Sequence, residues 1–214
     1  QRAFLVDWYF MARTLITDKA YYPVLSPHIR NNCIAQVVTS SPVSPWPDIM
    51  QGYMRILLEA KEYVYMESPY FLPTEPILFA MRTASQAGVD IRLMLPARSD
   101  SRIIEWAGRS YTQAALEAGV KVCFYCAGFN HSKLLVCDDS LCTCGSTNVD
   151  FRSFENNFEA NVFFYDRDMA LRLKKVYLDD EAECIVLDNP DIFAHRPFLA
   201  RLWESLIRLL SPLL

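Results

Sequence analysis

Apolar residues fall into two rhythms along this chain, one near 3.6 and one near 2, and the rhythms alternate. AFLVDWYFMARTL has helical spacing and predicts an amphipathic helix over Phe4 to Leu15. A Pro- and Ser-rich stretch from Tyr22 to Pro47 follows, broken by a strand-like IAQVVTS at Ile34 to Ser40. Asp48 is suited to cap a helix reaching about Ala60. EYVYMES predicts a buried strand, which Pro69 stops. A helix fits Glu75 to Ala87, closed by Gly88, and VDIRLMLP is a strand ending at Pro96. Asp100 or Ser101 starts the next helix, which runs to Ala118 and is closed by Gly119 before the strand VKVCFYC. In the last third, HSKLLVCD and LCTCGS read as strands joined at Asp139-Ser140, and NNFEANVFFYD as a third. A helix over about Arg167 to Asp180 and the amphipathic PFLARLWESLIRLL complete the series.

Strand–helix–strand–helix–strand in the middle of the chain argues for an α/β fold: a mixed, mostly parallel sheet with helices on both faces. Residues 1–214 are expected to form one domain. The first helix has no cap and Gln1 is no initiator, so the chain reads as cut from something longer. No apolar run approaches the ~20 residues that span a bilayer, and no signal peptide opens the sequence. The chain itself is therefore expected to be soluble.

Composition adds little until charge is considered. The 214 residues carry a formal net charge of −4. Such a chain exerts no long-range attraction on nucleic acid or an anionic bilayer, so nucleic acid is not an expected partner, and an anionic substrate must be held by local cations. Seven cysteines include a C-x-x-C at Cys123 and Cys126 and a close pair at Cys142 and Cys144. They fall in apolar, strand-like runs, and no second C-x-x-C or histidine pair completes a zinc knuckle. They read as small buried apolar residues in a reducing compartment.

The chemistry gathers at residues 131–161. If His131 to Asp138 is a strand, His131 and Lys133 share one face and Asp138 points to the other. With a turn at Asp139-Ser140, cross-strand partners put Asn148 beside His131 and Ser146 beside Lys133. Gly145 lets the backbone approach closely there. An imidazole, an ammonium, a hydroxyl and an amide then converge on one spot, a set suited to a multi-oxygen anion. On the third strand Asn157, Glu159, Asn161 and Phe163 share a face, and Glu159 is expected to accept a hydrogen bond from His131. Asp150 and Arg152 read equally well as a local ion pair.

His131, Lys133, Asp138, Gly145, Ser146 and Asn148 together spell H-x-K-x4-D-x6-G-S-x-N. This resembles the signature of the phospholipase D superfamily at every position. FLVDWYF, YMESPYFLP, the run from His131 to Glu159 and RLWESLIRLLSPLL narrow the resemblance to bacterial cardiolipin synthases. The resemblance implies a histidine that is nucleophile or general acid, a lysine and an asparagine that hold phosphate oxygens, and a buttressing glutamate at Glu159. Ser146 is expected to join them, with Asp138 in support, and no metal or cofactor is implied. Ser68, Tyr70 and Phe71 are expected to line the substrate pocket together with Asn161, although a plain Pro-turn with a packed aromatic explains residues 68–71 as well.

Such synthases carry two of these motifs. Neither His28 nor His195 begins a second copy. The chain is therefore expected to be the C-terminal half of a longer enzyme, with residues 1–16 continuing from the other half. The implied partners are a phospholipid substrate, a membrane surface on its cytoplasmic side, and a second half or second chain that supplies the other histidine. The implied reaction joins two phosphatidylglycerol molecules into cardiolipin and glycerol through a phosphohistidine. Two other readings stay open: a homodimeric phosphodiesterase or nuclease, and a phosphate- or lipid-binding fragment without activity.

Overall fold

The computed structural model describes residues 1–24, 32–193, 197–209 and 211. His28 and His195 lie outside the described residues. The chain divides into two compact units, 1–33 and 34–214. In the first, helix α1 (Arg2–Ala12) stops at Arg13, which is left-handed at φ 55°. A short 3-10 turn, Lys19–Tyr21, follows, and Asp18 caps it by accepting from the Ala20 amide at 2.8 Å.

The second unit is built on an eight-stranded sheet. Its strands are β1 (Ile34–Ser40), β2 (Tyr63–Glu67), β4 (Asp90–Pro96), β5 (Lys121–Tyr125), β6 (Leu134–Cys137), β7 (Leu141–Gly145), β9 (Glu159–Tyr165) and β10 (Cys184–Leu187). The spatial order is β1-β9-β7-β6-β2-β4-β5-β10. Two further strands of two residues each, β3 (Phe71–Leu72) and β8 (Val149–Asp150), pair with each other. The helices are α2 (Asp48–Glu59), α3 (Glu75–Gln86), α4 (Arg102–Glu117), α5 (Arg167–Glu181) and α6 (Phe198–Arg208). Asp48 is the first residue of α2 rather than its cap, which is Pro47. Gly88 and Gly119 follow α3 and α4 at positive φ, the conformation that closes a helix most easily with glycine.

The sheet is mixed, as expected, but it is not mostly parallel. Within the eight-stranded sheet, parallel pairing among the described residues joins β2 to β4 and β4 to β5. The remaining five ladders of the eight-stranded sheet are antiparallel. A parallel pair needs a long crossover, and here α3 and α4 provide the two crossovers. In the last third of the chain a hairpin joins β6 to β7, and longer connections through β8 and α5 bring β9 and β10 back antiparallel to their partners.

Both faces are covered. On β2, Val64 and Met66 join the core formed with α2, α3 and α4. Tyr63 and Tyr65 alternate with them and pack on the other face beside Ala170 and Tyr177 of α5. Every residue of β2 is buried, which explains its apolar run from Tyr63 to Met66 before the closing Glu67. Cys123, Cys137 and Cys142 are buried strand residues, as expected, but Cys126 is exposed just past the end of β5 and Cys33, Cys144 and Cys184 are half-buried.

Candidate active site

The hairpin β6–β7 differs from expectation by one residue. Cross-strand partners are Leu134 with Cys144 and Val136 with Cys142, so the loop holds three residues, Asp138 to Ser140. Asp138 and Asp139 both adopt left-handed φ, 48° and 50°. Short carboxylate side chains tolerate that conformation when they bond locally or find other partners. Asp138 accepts from the amides of Lys61, Glu62 and Tyr63 at 2.7, 3.0 and 2.9 Å. Asp139 meets the Lys174 ammonium at 2.8 Å and the Tyr63 hydroxyl at 2.6 Å. A shift of one residue moves a strand's side chains to the opposite face. Lys133 therefore lies opposite Gly145, whose amide donates to the Lys133 carbonyl at 3.3 Å, and not opposite Ser146.

The regular strand begins at Leu134, so His131 to Lys133 run in irregular chain beyond the carboxyl end of β2. Ligands bind beyond the carboxyl ends of strands in open α/β sheets. His131 is exposed. Its ring lies between Phe129, centroids 5.6 Å apart, and Tyr70, edge-on at 6.1 Å. The Lys133 ammonium lies 3.2 Å from His131 Nδ1 and donates to the His131 carbonyl at 2.9 Å. An ammonium can only donate, so Nδ1 accepts in this geometry. Burial holds the Lys133 ammonium below its ordinary range, and the carboxylates of Glu159 and Asp150 partly offset that.

Glu159 does not reach the imidazole. Its carboxylate accepts from the Ser146 hydroxyl and from the Asn157 amide, the latter at 3.1 Å. Ser146 is tied further to this strand: its hydroxyl accepts from the Ala160 amide at 3.0 Å. The close approach depends on Gly145, where a Cβ would stand 2.3 Å from the Ala160 carbonyl oxygen. Asn148 donates to Asp150 at 3.0 Å and lines a polar recess of about 280 Å3 with Tyr70, Leu72, Ile104, Asp150, Arg152 and Asn157.

Three of the expected pocket residues turn inward. Asn161 is 0% exposed; its amide carbonyl accepts from the Thr147 N–H, and its NH2 donates to Tyr53 and Thr143. β9 is an internal strand between β7 and β1, so that polar side chain is buried and needs these partners. Ser68 joins β2 to β8, donating to the Tyr70 carbonyl at 2.6 Å and accepting from the Val149 amide at 3.0 Å. Phe71 is a core residue, edge-on to Tyr111, and borders an adjoining apolar cavity rather than this polar recess. Tyr70 remains at the recess, its hydroxyl donating to Asp100 at 2.8 Å, and burial followed by Asp100 pushes that phenol up to about 12.

Sequence reading missed Glu67. It ends β2, is 2% exposed, and accepts from the Asn130 side chain at 3.1 Å. Asn130 in turn accepts from the Ser132 amide at 2.8 Å, so Glu67 anchors the turn that carries His131. Burial raises the Glu67 carboxyl above its ordinary range, against the opposing effect of Asn130 and Ser132. The visible signal was a single carboxylate within an otherwise apolar strand.

A family model described as "Cardiolipin synthase, PLD-like domain" matches residues 53–180. Cardiolipin synthase of Clostridium perfringens is 39% identical over 99% of the chain and 45% of its own length. The protein of the same name from Geobacillus kaustophilus is 40% identical over 100% and 42%. The chain thus spans less than half the length of these curated relatives. Among solved structures, phosphatidylserine synthase of Haemophilus influenzae aligns at a TM-score of 0.68 and 14% identity, over 87% of this chain and 49% of that one. Nuc of Salmonella typhimurium, a phospholipase D family member, aligns at 0.62 and 18%, over 73% and 99%. These two show the shared fold. With the family model spanning the hairpin, the recess and Glu67, the chain belongs to the cardiolipin synthase family of phospholipase D-like domains.

Proposed function

We propose that this chain supplies one half of the active site of a phosphatidyltransferase that makes cardiolipin and glycerol from two phosphatidylglycerol molecules. The observation that carries the reading is the His131–Lys133 pair, 3.2 Å apart beyond the carboxyl end of β2, within the segment the family model matches. A second histidine, from the rest of the full-length protein or from another chain, attacks the phosphodiester of the first lipid. His131, protonated to the imidazolium when Lys133 turns from Nδ1 to the phosphate, donates that proton to the departing glycerol oxygen as the second histidine becomes a phosphohistidine. The hydroxyl of the second lipid then attacks phosphorus, gives its proton to His131, and releases the first histidine. Lys133, with Ser146 and Asn148, stabilises the charge on the phosphoryl oxygens. Asp138 and Glu159 act through the backbone and Ser146, and Tyr70 borders the substrate. The site works at the cytoplasmic-side membrane surface where its lipid resides. Among the described residues no helix is long and apolar enough to cross a membrane.

The test is His131→Ala in the full-length protein, with labelled phosphatidylglycerol and thin-layer separation of the products. The variant is expected to lose cardiolipin formation by at least 1000-fold while keeping its unfolding midpoint. Retained turnover would reject His131. Release of phosphatidic acid without cardiolipin by the unmodified protein would replace transfer with hydrolysis.

A further inference from the structure

Beside the polar recess lies a second cavity of different character. It is a half-open cleft of about 350 Å3 between the carboxyl ends of β4 and β5, the strand β10 and the first half of α4. Its walls include Phe71, Leu95, Ile104, Phe124, Ile185 and Leu187. Charge is confined to Glu105 and Arg109, which neutralise each other as an ion pair one helical turn apart. Tyr70 and Ile104 line both this cavity and the recess that holds Asn148, so the two share a wall. An apolar cavity with few polar groups is the usual form of a small-molecule site.

We propose that this cavity takes one acyl chain of the phospholipid whose phosphodiester lies against His131 and Lys133. The proposal rests on the phosphatidyl-transfer reading and names what that site binds beyond the phosphate. In a phospholipid the acyl esters hang from the same glycerol as the phosphate, so a chain must leave the phosphate site within a few bonds. The shared wall at Tyr70 and Ile104 is the exit the structure offers into apolar surroundings.

Gly108 makes the proposal testable. It lines the cavity from α4, and a Cβ built there meets only the Phe71 carbonyl oxygen, at an ordinary 3.9 Å. A larger side chain can extend into the cavity without moving backbone, and a helix interior favours it over glycine. In Gly108→Leu the new side chain displaces about three methylenes of a bound acyl chain. Each methylene is worth about a four-fold change in affinity, so the loss is about 50-fold.

The experiment uses the full-length protein, wild type and Gly108→Leu, with dioleoyl and dihexanoyl phosphatidylglycerol. The variant is expected to lose about 50-fold in kcat/KM for the dioleoyl lipid and to leave the dihexanoyl lipid unchanged. In parallel, cis-parinaric acid, a fluorescent 18-carbon chain, should bind wild type and be excluded from the variant. Equal loss for both lipids, a lowered unfolding temperature, or no loss for either overturns the proposal. If wild type transfers neither lipid, the phosphatidyl-transfer reading fails, and the fluorescent chain still decides the cavity: binding that Gly108→Leu abolishes supports it, and unaltered or absent binding rejects it.

Discussion

Asp138 belongs to the motif by sequence yet stands at the opposite end of β6 from His131, and its replacement should damage folding rather than chemistry. Its carboxylate accepts three backbone N–H groups, those of Lys61, Glu62 and Tyr63. A hydrogen bond to a charged acceptor contributes about 1.5–3 kcal/mol when buried, and less where water can replace it. Lys61 and Glu62 are exposed and Tyr63 is buried. Two bonds of about 0.5–1 kcal/mol and one of about 2 kcal/mol put Asp138→Ala near 3 kcal/mol of lost stability. Asp138 is held at φ 48°, a conformation that disfavours alanine by about 1 kcal/mol, so Asp138→Gly should be the milder change by that amount. Asp138→Asn keeps one acceptor oxygen and tolerates the backbone, and should cost about 1 kcal/mol. Urea unfolding of the full-length protein orders the three variants, and phosphatidyl transfer is measured on the folded fraction. The expected order of stability is Asn, Gly, Ala, with turnover per folded molecule retained. An Asp138→Asn protein that is fully folded and has no turnover would refute the structural role and return the carboxylate to the chemistry.

Glu67 and Gly145 give two further predictions. Burial raises the folded-state pKa of Glu67 above its ordinary 4.5, so the native protein binds more protons than the unfolded chain in the window that starts there. Stability from this group is full below pH 4.5 and declines as pH rises to the raised value; Glu67→Gln should remove that decline, and thermal unfolding across the acid range that shows the same slope in both proteins would contradict it. Gly145→Ala would place a Cβ 2.3 Å from the Ala160 carbonyl oxygen and 2.6 Å from the Asn161 Cα, forcing β7 and β9 apart. The cost is about 3 kcal/mol, or roughly 10 °C in unfolding temperature, with transfer lost as Ser146 moves; an unchanged melting curve would show that the strands can yield.

His131 and Lys133 were legible because a short, spaced pattern survives whatever the surrounding fold does. Their neighbours were not, since the hairpin register depends on Asp138 meeting the amides of Lys61 to Tyr63, some 75 residues away. Periodicity located α3, β4, α4 and β5 to within a residue or two because each helix buries one apolar face and both strands are apolar on two. It missed β3 and β8, whose two residues each hold no period, and β10, whose partner β5 lies four strands and helix α5 earlier in the chain. Glu67 escaped for the same reason as the register: its meaning lies in Asn130, a contact the local pattern cannot express.

The four residues between Lys133 and Asp138 are the whole of β6, Leu134–Cys137. At a rise of about 3.4 Å each they span ~14 Å. The spacing in the motif is thus a ruler laid across the sheet, with a latch at one end and a reactive pair at the other. All four residues are buried, which asks for apolar character but not for particular side chains. What must be preserved is their number: one residue more or fewer would leave Asp138 latched and turn the reactive pair toward the wrong side of the sheet.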